Sequence, residues 1–225
     1  GGALRDTLLG LSITERDWVV VGSSAQDLIN RGFKQVGNHF PVFLHPETGE
    51  EYALARTEKK NGFGHTGFEL NFPRSISIEE DLKRRDFTIN AMAQDMQGNV
   101  IDPWGGQKDL ELKIIRHVSD AFSEDPLRVF RAARFNAKFS KLGFSIAPET
   151  LGLMKKMLSE KEIANISGER IWKETEHALE TNSPEIFFEV LDKCDVLKIV
   201  FPGIEKTNSA EIFKICLRED EFLVA

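Results

Sequence analysis

The hydrophobic pattern of the chain changes near residue 116, and this change limits the folds that it can adopt. Before it, short apolar runs such as the one from Trp18 to Gly22, which has the character of a buried strand, alternate with turns that contain glycine. After about residue 120, apolar residues recur at helical spacing, and helix starts are indicated at Ser167 and Pro184. We therefore predict an α+β fold, with an α/β unit before residue 117 and an all-helical part after it.

The first half also contains a predicted hairpin and a glycine-rich stretch. Apolar residues within 35–44 indicate one strand and those at 52–55 another, with a turn sequence at 45–50 between them. The stretch 58–69 contains three glycines and has no periodicity. We predict that it forms a mobile loop.

The composition excludes several classes of protein. The 225 residues are 41% hydrophobic and 29% charged, which is enough for one large core or two modest ones. No apolar run approaches the ~20 residues that cross a bilayer, so we predict no membrane association and a cytoplasmic location. The net charge of −7 argues against general nucleic-acid binding, which depends on basic residues that displace counterions. Cys194 and Cys216 lie in apolar sequence and are predicted to be buried thiols.

A glycine pair precedes the first predicted helix. Gly1 and Gly2 are followed by a short segment that contains Arg5 and ends at Gly10. The free N–H groups of a helix start and an arginine side chain both suit phosphate, so a triphosphate could bind there. A plain turn before a helix is the alternative, and this motif alone does not decide between them.

Two carboxylates, Glu15 and Asp17, stand at the entrance to the predicted strand that begins at Trp18. Because side chains alternate along a strand, residues two apart share one face. Paired carboxylate oxygens could hold Mg²⁺, which activates a hydroxyl and neutralises phosphate charge in nucleotidyl transfer. An acidic turn before a strand is the alternative interpretation.

The segment from Arg84 to Met92 combines two arginines with apolar residues at helical spacing. Arg85 is predicted to contact phosphate, and Asn90 to contact a sugar hydroxyl or the backbone of a neighbouring turn. An exposed basic helix start is an equally good interpretation. The following sequence, 102–110, is predicted to be a structural turn that leads into a helix.

An acidic residue and three arginines recur every three residues, at Asp125, Arg128, Arg131 and Arg134. Each step moves about 60° around a helix, so the four side chains would form one slanting stripe. Asp125 can accept from the exocyclic amine that cytosine and adenine share, and Arg128 can donate to the adjacent ring acceptor. Guanine and uracil present the opposite polarity, so the stripe would select C and A. An Asp–Arg ion pair on a solvated helix is the alternative.

Taken in order, these motifs resemble those of the class II tRNA nucleotidyltransferases, the CCA-adding enzymes. The shared patterns are Gly-Gly-x-x-Arg-Asp, the acidic pair before Trp-Val-Val-Val-Gly, Arg-Arg-Asp-x-Thr-Ile-Asn-Ala, Asp-Pro-x-x-Gly-x-x-Asp-Leu and Glu-Asp-Pro-x-Arg-x-x-Arg-x-x-Arg-Phe. The likeness runs from residue 1 to about residue 175, and the segments 40–46 and 51–58 resemble the long bacterial branch in particular.

The resemblance implies a domain order and an activity. A polymerase-β-like nucleotidyltransferase head, lacking its first strand, would occupy 1–116, a helical neck with the base-reading helix 117–175, and the start of a helical body 176–225. The implied activity is template-independent addition of CCA to the 3′ end of tRNA from CTP and ATP, with Mg²⁺ as cofactor and pyrophosphate as product. The expected partners are tRNA, CTP and ATP, and the expected state is a monomer or weak homodimer.

The resemblance also implies roles for particular residues. Asp125 and Arg128 would template C or A, and the loop at 58–69 would help the switch from C to A addition. Glu15 and Asp17 would be the catalytic carboxylates that hold Mg²⁺, and Glu51 falls where relatives carry a third acidic residue. The residues implied in binding the incoming nucleotide are Gly2, Arg5, Arg85, Arg131 and Arg134.

The chain departs from the family pattern in two respects. Glu15 stands where many members have aspartate, and its extra methylene moves the carboxylate by about one C–C bond, which matters in a site that needs accurate placement. We expect Glu15 to be a tolerated ligand. Long bacterial members also carry an HD phosphohydrolase domain, whereas this sequence contains no His-Asp dipeptide, so we expect that domain to be absent.

Three alternatives to complete CCA addition stay open at this point. A poly(A) polymerase, or an enzyme that adds only CC or only A, would share the acidic pair. The segment 40–56 and the full-length stretch 58–69 favour complete CCA addition over both. A tRNA- or nucleotide-binding fragment without catalysis is the third alternative, suggested by Glu15.

Overall fold

The computed structural model describes residues 1–13, 16–37, 41–60, 68–157 and 160–204. Backbone contacts divide the chain into two units. The first unit comprises Gly1–Leu110 and His117–Phe122, and the second comprises Glu111–Arg116 and the chain from Ser123 onward. The predicted boundary at residue 116 falls between residues 110 and 123, where the chain passes from the first unit to the second, returns to the first and enters the second again.

A mixed sheet is the main strand structure of the first unit. Its strands are β1 (Asp17–Val20), β2 (Lys34–Val36), β3 (Val42–Leu44) and β4 (Glu51–Leu54). They have the order β1-β4-β3-β2, with β1 parallel to β4 and the other neighbours antiparallel. The predicted hairpin is confirmed as the β3–β4 pair, but the single strand predicted within 35–44 is wrong, because β2 and β3 are separate strands that pair with each other.

The prediction that β1 is a buried strand is wrong. Asp17 is exposed and the other three residues of β1 are half-buried, because β1 lies at one end of the described sheet and pairs there with β4 alone. The core of the sheet lies further in. Leu28 of α2 (Ala25–Asn30) packs there with Phe43 and Leu54, and all three are at most 3% exposed.

The prediction of a loop over 58–69 is wrong at both ends. β5 (Thr57–Lys60) and β6 (Phe68–Asn71) form an antiparallel hairpin, in which Thr57 lies opposite Asn71. Ladder hydrogen bonds satisfy the backbone of these ends even though the sequence shows no clear alternation. The central part of the predicted loop, 61–67, lies outside the described residues.

Two helices of the first unit position the residues of interest. α1 (Gly2–Leu8) begins at the glycine pair, as predicted, and Gly10 follows it with a φ of 69°, a conformation that favours glycine. α3 (Ile78–Lys83) begins at Ser77, whose hydroxyl accepts from the backbone N–H of Glu80 while the Glu80 carboxylate accepts from the backbone N–H of Ser77.

The helical spacing of 84–92 does not produce an α-helix. α3 ends at Lys83, and Thr88–Asn90 forms a single 3₁₀ turn. The Asp86 carbonyl accepts from the Val118 backbone N–H at 3.2 Å, and Phe87 pairs with His117 in an isolated bridge, so backbone groups of this segment bond outside it and do not continue the helix. The apolar residues of the segment are fully buried: Phe87, Ile89, Ala91 and Met92.

The predicted turn at 102–110 is confirmed and opens α4 (Gly106–Leu112). The Asp102 carboxylate accepts from the backbone N–H groups of Gly106 and Gln107 at 2.7 and 2.9 Å. A Cβ on Gly106 would lie 2.4 Å from the Thr88 carbonyl oxygen, so glycine is required for close packing there. The short strands β7 (Ala93–Gln94) and β8 (Val100–Ile101) pair just before this turn.

The second unit is built around α5 (Leu127–Phe139), which packs against two later helices, α8 (Gly168–Leu179) and α9 (Glu185–Lys193). The predicted starts of α8 at Ser167 and α9 at Pro184 are confirmed. Its other helices are α6 (Pro148–Met157), α7 (Glu160–Ala164) and α10 (Leu197–Val200). The predicted packed face of α5 is confirmed by the buried residues Val129, Phe130, Ala132, Ala133 and Phe135.

The second unit also contains a small strand pair that the all-helical prediction missed. β9 (Ile114–Ile115) and β10 (Ser145–Ile146) run parallel. Two-residue strands carry no usable periodicity in the sequence. Cys194 is buried, as predicted, and burial raises the pKa of its thiol to about 11; Cys216 lies outside the described residues. Across the described ranges, no helix is long and apolar enough to cross a membrane.

Candidate functional site

A cavity of about 240 Å³ lies beside the glycine turn of the first unit. Its lining includes Gly1, Gly2, Arg85 and Asp17, which the sequence placed in three separate motifs. Arg85 lies close over the turn, because a Cβ on Gly1 would be 3.0 Å from its Nη1 atom. α1 has only seven residues, so the arginine supplies more positive charge to this cavity than the helix end does.

Arg5 lies beneath the turn and has partners within the protein. It is 4% exposed. Its Nε and Nη2 atoms donate to the Asp6 carboxylate at 2.7 and 2.9 Å, and its Nη1 donates to the Asn90 side-chain oxygen at 2.6 Å. These bonds fix α1 to the turn at Thr88–Asn90. The direct contact between Arg5 and a triphosphate stays a prediction.

Asn90 bridges two motifs inside the first unit. Its Nδ2 donates to Asp86 at 3.0 Å, and its Oδ1 accepts from Arg5. Both Asn90 and Asp86 are buried. The Asn90 amide thus connects two protein side chains, and neither is the backbone of a neighbouring turn that was predicted as one of its partners. Its contact with a sugar hydroxyl stays a prediction.

Arg85 is held at the cavity by a residue that the sequence analysis did not identify. Its Nη2 donates to Asp81 at 3.3 Å, and its Nη1 donates to the Asn90 carbonyl oxygen at 3.4 Å. Burial alone would raise the pKa of Asp81, but the charges of Arg84 and Arg85 outweigh burial and lower this pKa below the usual aspartate value. Asp81 is therefore a buried, ionised partner of these arginines.

Asp17 is exposed and lies beside a second acidic residue. Parallel pairing of β1 with β4 places Asp17 opposite Glu51, so the third acidic position named in the sequence analysis is its neighbour in the sheet. A second cavity, of about 500 Å³, is lined by Asp17, Glu51, Glu50 and Arg16 among others. Glu15 lies outside the described residues, and among those described no three histidine, cysteine or acidic side chains cluster to hold a metal ion.

Asp125 does not lie on the helix that carries the arginine stripe. α5 begins at Leu127, and Asp125 precedes it, with its Oδ1 accepting from the Leu127 backbone N–H at 3.1 Å. Pro126 is the N-cap of α5, and a proline disfavours the helical conformation of the residue before it, which here is Asp125. The other oxygen, Oδ2, accepts from Arg170 of α8 at 2.9 Å. The predicted helical stripe of four residues is therefore wrong for Asp125, whereas Arg128, Arg131 and Arg134 do lie on α5.

Arg131 and Arg134 share one acidic partner, which also escaped the sequence analysis. Glu174 of α8 accepts from Arg134 Nε at 2.5 Å and from Arg131 Nη1 at 3.5 Å. The Arg134 guanidinium also lies 4.4 Å from the centre of the Phe135 ring. Arg128 is half-buried on the same helix. The predicted common face of these arginines is present, but it is tied to α8 and is not a free surface.

A sequence signal for Glu174 did exist. Arg170 and Glu174 are four residues apart, which places them on the same side of α8. The same helix buries Ile171, Thr175 and Ala178. Charged residues at the border of a buried helical face indicate ion pairing with a neighbouring element.

Two regions of the chain match known protein families. Residues 1–116 match the family described as poly(A) polymerase head domain. Residues 143–207 match the family described as probable RNA and SrmB-binding site of polymerase A. The first match covers more than half of the 225 residues.

Similar proteins and structures carry one activity in their names. A CCA-adding enzyme of Blochmanniella floridana is 58% identical over 205 residues, which are 91% of this chain and 49% of the relative. A Bacillus stearothermophilus CCA-adding enzyme in complex with CTP matches with a TM-score of 0.71 at 34% identity, over 90% of this chain and 49% of that one. A Thermotoga maritima CCA-adding enzyme complexed with tRNA matches with a TM-score of 0.68 at 30% identity, over 90% and 47%.

The chain spans about half the length of the relatives that it matches. Residues 1–116, the predicted nucleotidyltransferase head, match the head-domain family, and all of this region except 111–116 lies in the first unit. By this match over residues 1–116, the chain belongs to the poly(A) polymerase head-domain family and is similar there to CCA-adding enzymes.

Proposed function

We propose that the protein adds C, C and A to the 3′ end of tRNA without a nucleic-acid template, consuming CTP and ATP and releasing pyrophosphate. One observation carries this proposal: the cavity at the glycine turn brings together Gly2, Arg85 and Asp17 in a chain that is similar to CCA-adding enzymes. Complexes of such relatives with CTP, ATP and tRNA support the choice of substrates.

The first unit would hold the phosphates of the incoming nucleotide. Arg85 would donate to phosphate oxygens from the wall of the cavity, and the Gly2 backbone would let the phosphates approach closely. Arg5 would fix this region by anchoring Asn90, in addition to its predicted contact with phosphate. The buried bonds to Asp6 and Asp81 orient both arginines before substrate binds.

The family implies a divalent metal ion, and the acidic residues suit one. Carboxylate oxygens are the ligands that Mg²⁺ prefers, and the exposed Asp17 lies next to Glu51 in the sheet. Asp17 and Glu15 would hold Mg²⁺, with Glu51 close by. The bound metal would favour deprotonation of the tRNA 3′-hydroxyl and neutralise charge on the phosphates.

The second unit would select the base. Asp125 would accept from the exocyclic amine of cytosine or adenine, and Arg128 would donate to the ring acceptor beside it. Glu174 and Arg170 would hold Arg131, Arg134 and Asp125 in fixed orientations, so the hydrogen-bond polarity presented to the base would not vary. Guanine and uracil would be rejected because their ring N–H donor would face the Arg128 donor and their carbonyl oxygen would face the Asp125 acceptor.

The test is extension of a tRNA that lacks its CCA end, with Mg²⁺ and CTP, ATP or both, read as product length on a sequencing gel. We expect three added nucleotides with both substrates, two with CTP alone, and none on a tRNA that already ends in CCA. Chelation of Mg²⁺ should abolish every product.

Other product patterns would replace the proposal. Long adenylate tails would assign poly(A) synthesis, which the family description also allows. Addition of CC alone would assign a partial enzyme. Nucleotide binding without extension would favour the non-catalytic alternative. The cytoplasmic location and the monomer or weak homodimer stay predictions.

A further inference from the structure

Asp81 bonds to three arginines of the first unit: to the backbone N–H of Arg56 and to the side chains of Arg84 and Arg85. It lies on α3, three and four residues before Arg84 and Arg85, and its side chain is 1% exposed. Burying an ionised carboxylate is unfavourable unless positive charges and N–H donors compensate for it. The partners of Asp81 therefore indicate what the buried charge does.

The two oxygens of Asp81 have different partners. Oδ1 accepts from the backbone N–H of Arg56 at 3.2 Å and from Arg84 Nε and Nη2 at 3.2 and 2.8 Å. Oδ2 accepts from Arg85 Nη2 at 3.3 Å. Arg56 follows β4, the strand that carries Glu51. One carboxylate thus joins the strand beside Asp17 to the arginine at the cavity.

Arg85 is constrained on its other side as well. Its Nη1 donates to the Asn90 carbonyl and lies 3.0 Å from the position that a Gly1 Cβ would take. The side chain is nevertheless 27% exposed, and it lines the cavity at the glycine turn. Its guanidinium is therefore accessible to a ligand while two protein groups set its orientation.

We propose that Asp81 is a positioning residue for nucleotide binding, which holds the Arg85 guanidinium in the orientation that receives the phosphates of the incoming nucleotide. The inference rests on the proposed function, in which Arg85 contacts phosphate. Asp81 itself is 1% exposed and is not among the residues that line the cavity, so it acts through the arginine. An arginine side chain without this partner would lose conformational entropy when the nucleotide binds. The Arg85 side chain, bonded to Asp81, has already lost that entropy on folding, so binding costs less.

Asp81→Asn is a selective probe because the partners of the two oxygens differ. Three donors meet at Oδ1, so the amide oxygen of asparagine would take that place. The amide NH₂ would then take the place of Oδ2 and present a donor to Arg85 Nη2. The bond to Arg85 would be lost while those to Arg56 and Arg84 could persist.

The experiment measures CTP binding by calorimetry with the full chain and Mg²⁺, for Asp81→Asn, Arg85→Ala and the double variant. We expect Asp81→Asn to raise the Kd for CTP about tenfold in the unchanged background and less than about twofold when Arg85 is already alanine. Glu79→Gln, which removes an exposed charge from the same helix, is the matched control and should leave the Kd unchanged. Melting temperatures recorded in parallel separate folding from binding.

The outcomes distinguish this inference from the proposed function. No CTP binding by the unchanged chain would contradict both. Weaker binding by Arg85→Ala together with an unchanged Kd for Asp81→Asn would overturn the inference and leave the function standing. An equal loss in both backgrounds would assign Asp81 to folding alone. If Asp81→Asn does not fold, Asp81→Glu, which keeps the charge but moves the oxygens, is compared in the same two backgrounds with the same criteria.

Discussion

The two units hold their functional arginines in different ways. In the first unit the acidic partners are close in sequence: Asp6 is next to Arg5, and Asp81 precedes Arg85 by four residues. In the second unit Glu174 is 40 residues from Arg134 and lies on another helix. The first arrangement is largely local, whereas the second exists only when α5 and α8 are packed together.

Because of this difference, changes in packing should affect the ion pairs of the two units unequally. A local pair survives modest changes in packing, because its geometry follows from one helix or one turn. A pair between helices is lost when either helix shifts. We therefore expect the first unit to respond chiefly in catalysis and phosphate binding, and the second to respond in stability and base selection together.

The largest expected effect is on chemistry in the first unit. Asp17→Asn removes the negative charge of a proposed metal ligand, so nucleotide incorporation should fall by on the order of a hundred- to a thousandfold. Rates with CTP and ATP should fall by the same factor if base selection belongs to the second unit, as we propose. Single-turnover extension measures both rates. A changed ratio of the two rates would break the proposed division of labour.

Next in size is the ion pair between helices in the second unit. Glu174→Gln replaces the charged partner that two partly buried arginines share by a neutral one, which should lower the free energy of unfolding by about 2 kcal/mol. Thermal melting measures the loss, and the CTP preference over UTP should fall with it. Glu169→Gln, an exposed residue of the same helix, is the control. A stable variant with unchanged selection would show that α8 does not position the arginines.

Much of the local structure could be predicted from the sequence. The hairpin followed from its turn, and the starts of α8 and α9 followed from Ser167 and Pro184, because these signals act over a few residues. The packed face of α5 followed from its apolar spacing. The cavity in the first unit was anticipated through motifs in a familiar order.

The acidic partner of Arg85 could not be predicted, because burial decides which carboxylate it is. Asp81 stands after Glu79 and Glu80 in an acidic helix start, and nothing in that run distinguishes the buried carboxylate from the exposed ones. Asp125 was placed on α5 because the three-residue spacing continued through Pro126, which in fact lies outside the helix. Spacing therefore grouped the candidate residues but did not identify Asp81 as a buried partner, and it extended α5 too far toward Asp125.

A smaller effect is expected on the choice of base. Asp125→Asn exchanges an acceptor-only group for one that can also donate, so UTP, which presents an acceptor, should be used about tenfold better relative to CTP. The ratio of kcat/KM for the two nucleotides measures the change. An unchanged ratio would remove Asp125 from base selection and leave it as a partner of Arg170.

Packing inside the first unit gives a further contrast. The Cβ of Gly106→Ala would lie 2.4 Å from the Thr88 carbonyl oxygen and 2.7 Å from Met92 Cγ. Relief of this overlap should cost about 1 to 2 kcal/mol of unfolding free energy, measured by denaturant titration. Because Thr88 precedes Asn90 in the same turn, the Kd for CTP should rise too. A variant that loses stability but binds CTP normally would show that the turn and the cavity are not coupled.

The smallest expected effect is of opposite sign and lies in the second unit. Gly152 is an exposed residue within α6, and apart from its chain neighbours and the backbone of its own helix, no described atom lies within 4 Å of the place where its Cβ would be. Gly152→Ala should therefore stabilise the helix by about 0.5 to 1 kcal/mol, since alanine loses less backbone freedom on folding. The same denaturant titration measures the gain, with CTP binding and selection unchanged. A loss of stability would mean that this face of α6 is covered. A gain would show that the cost of Gly106→Ala comes from the atoms packed around that position, and that alanine is not unfavourable at every helical glycine of this chain.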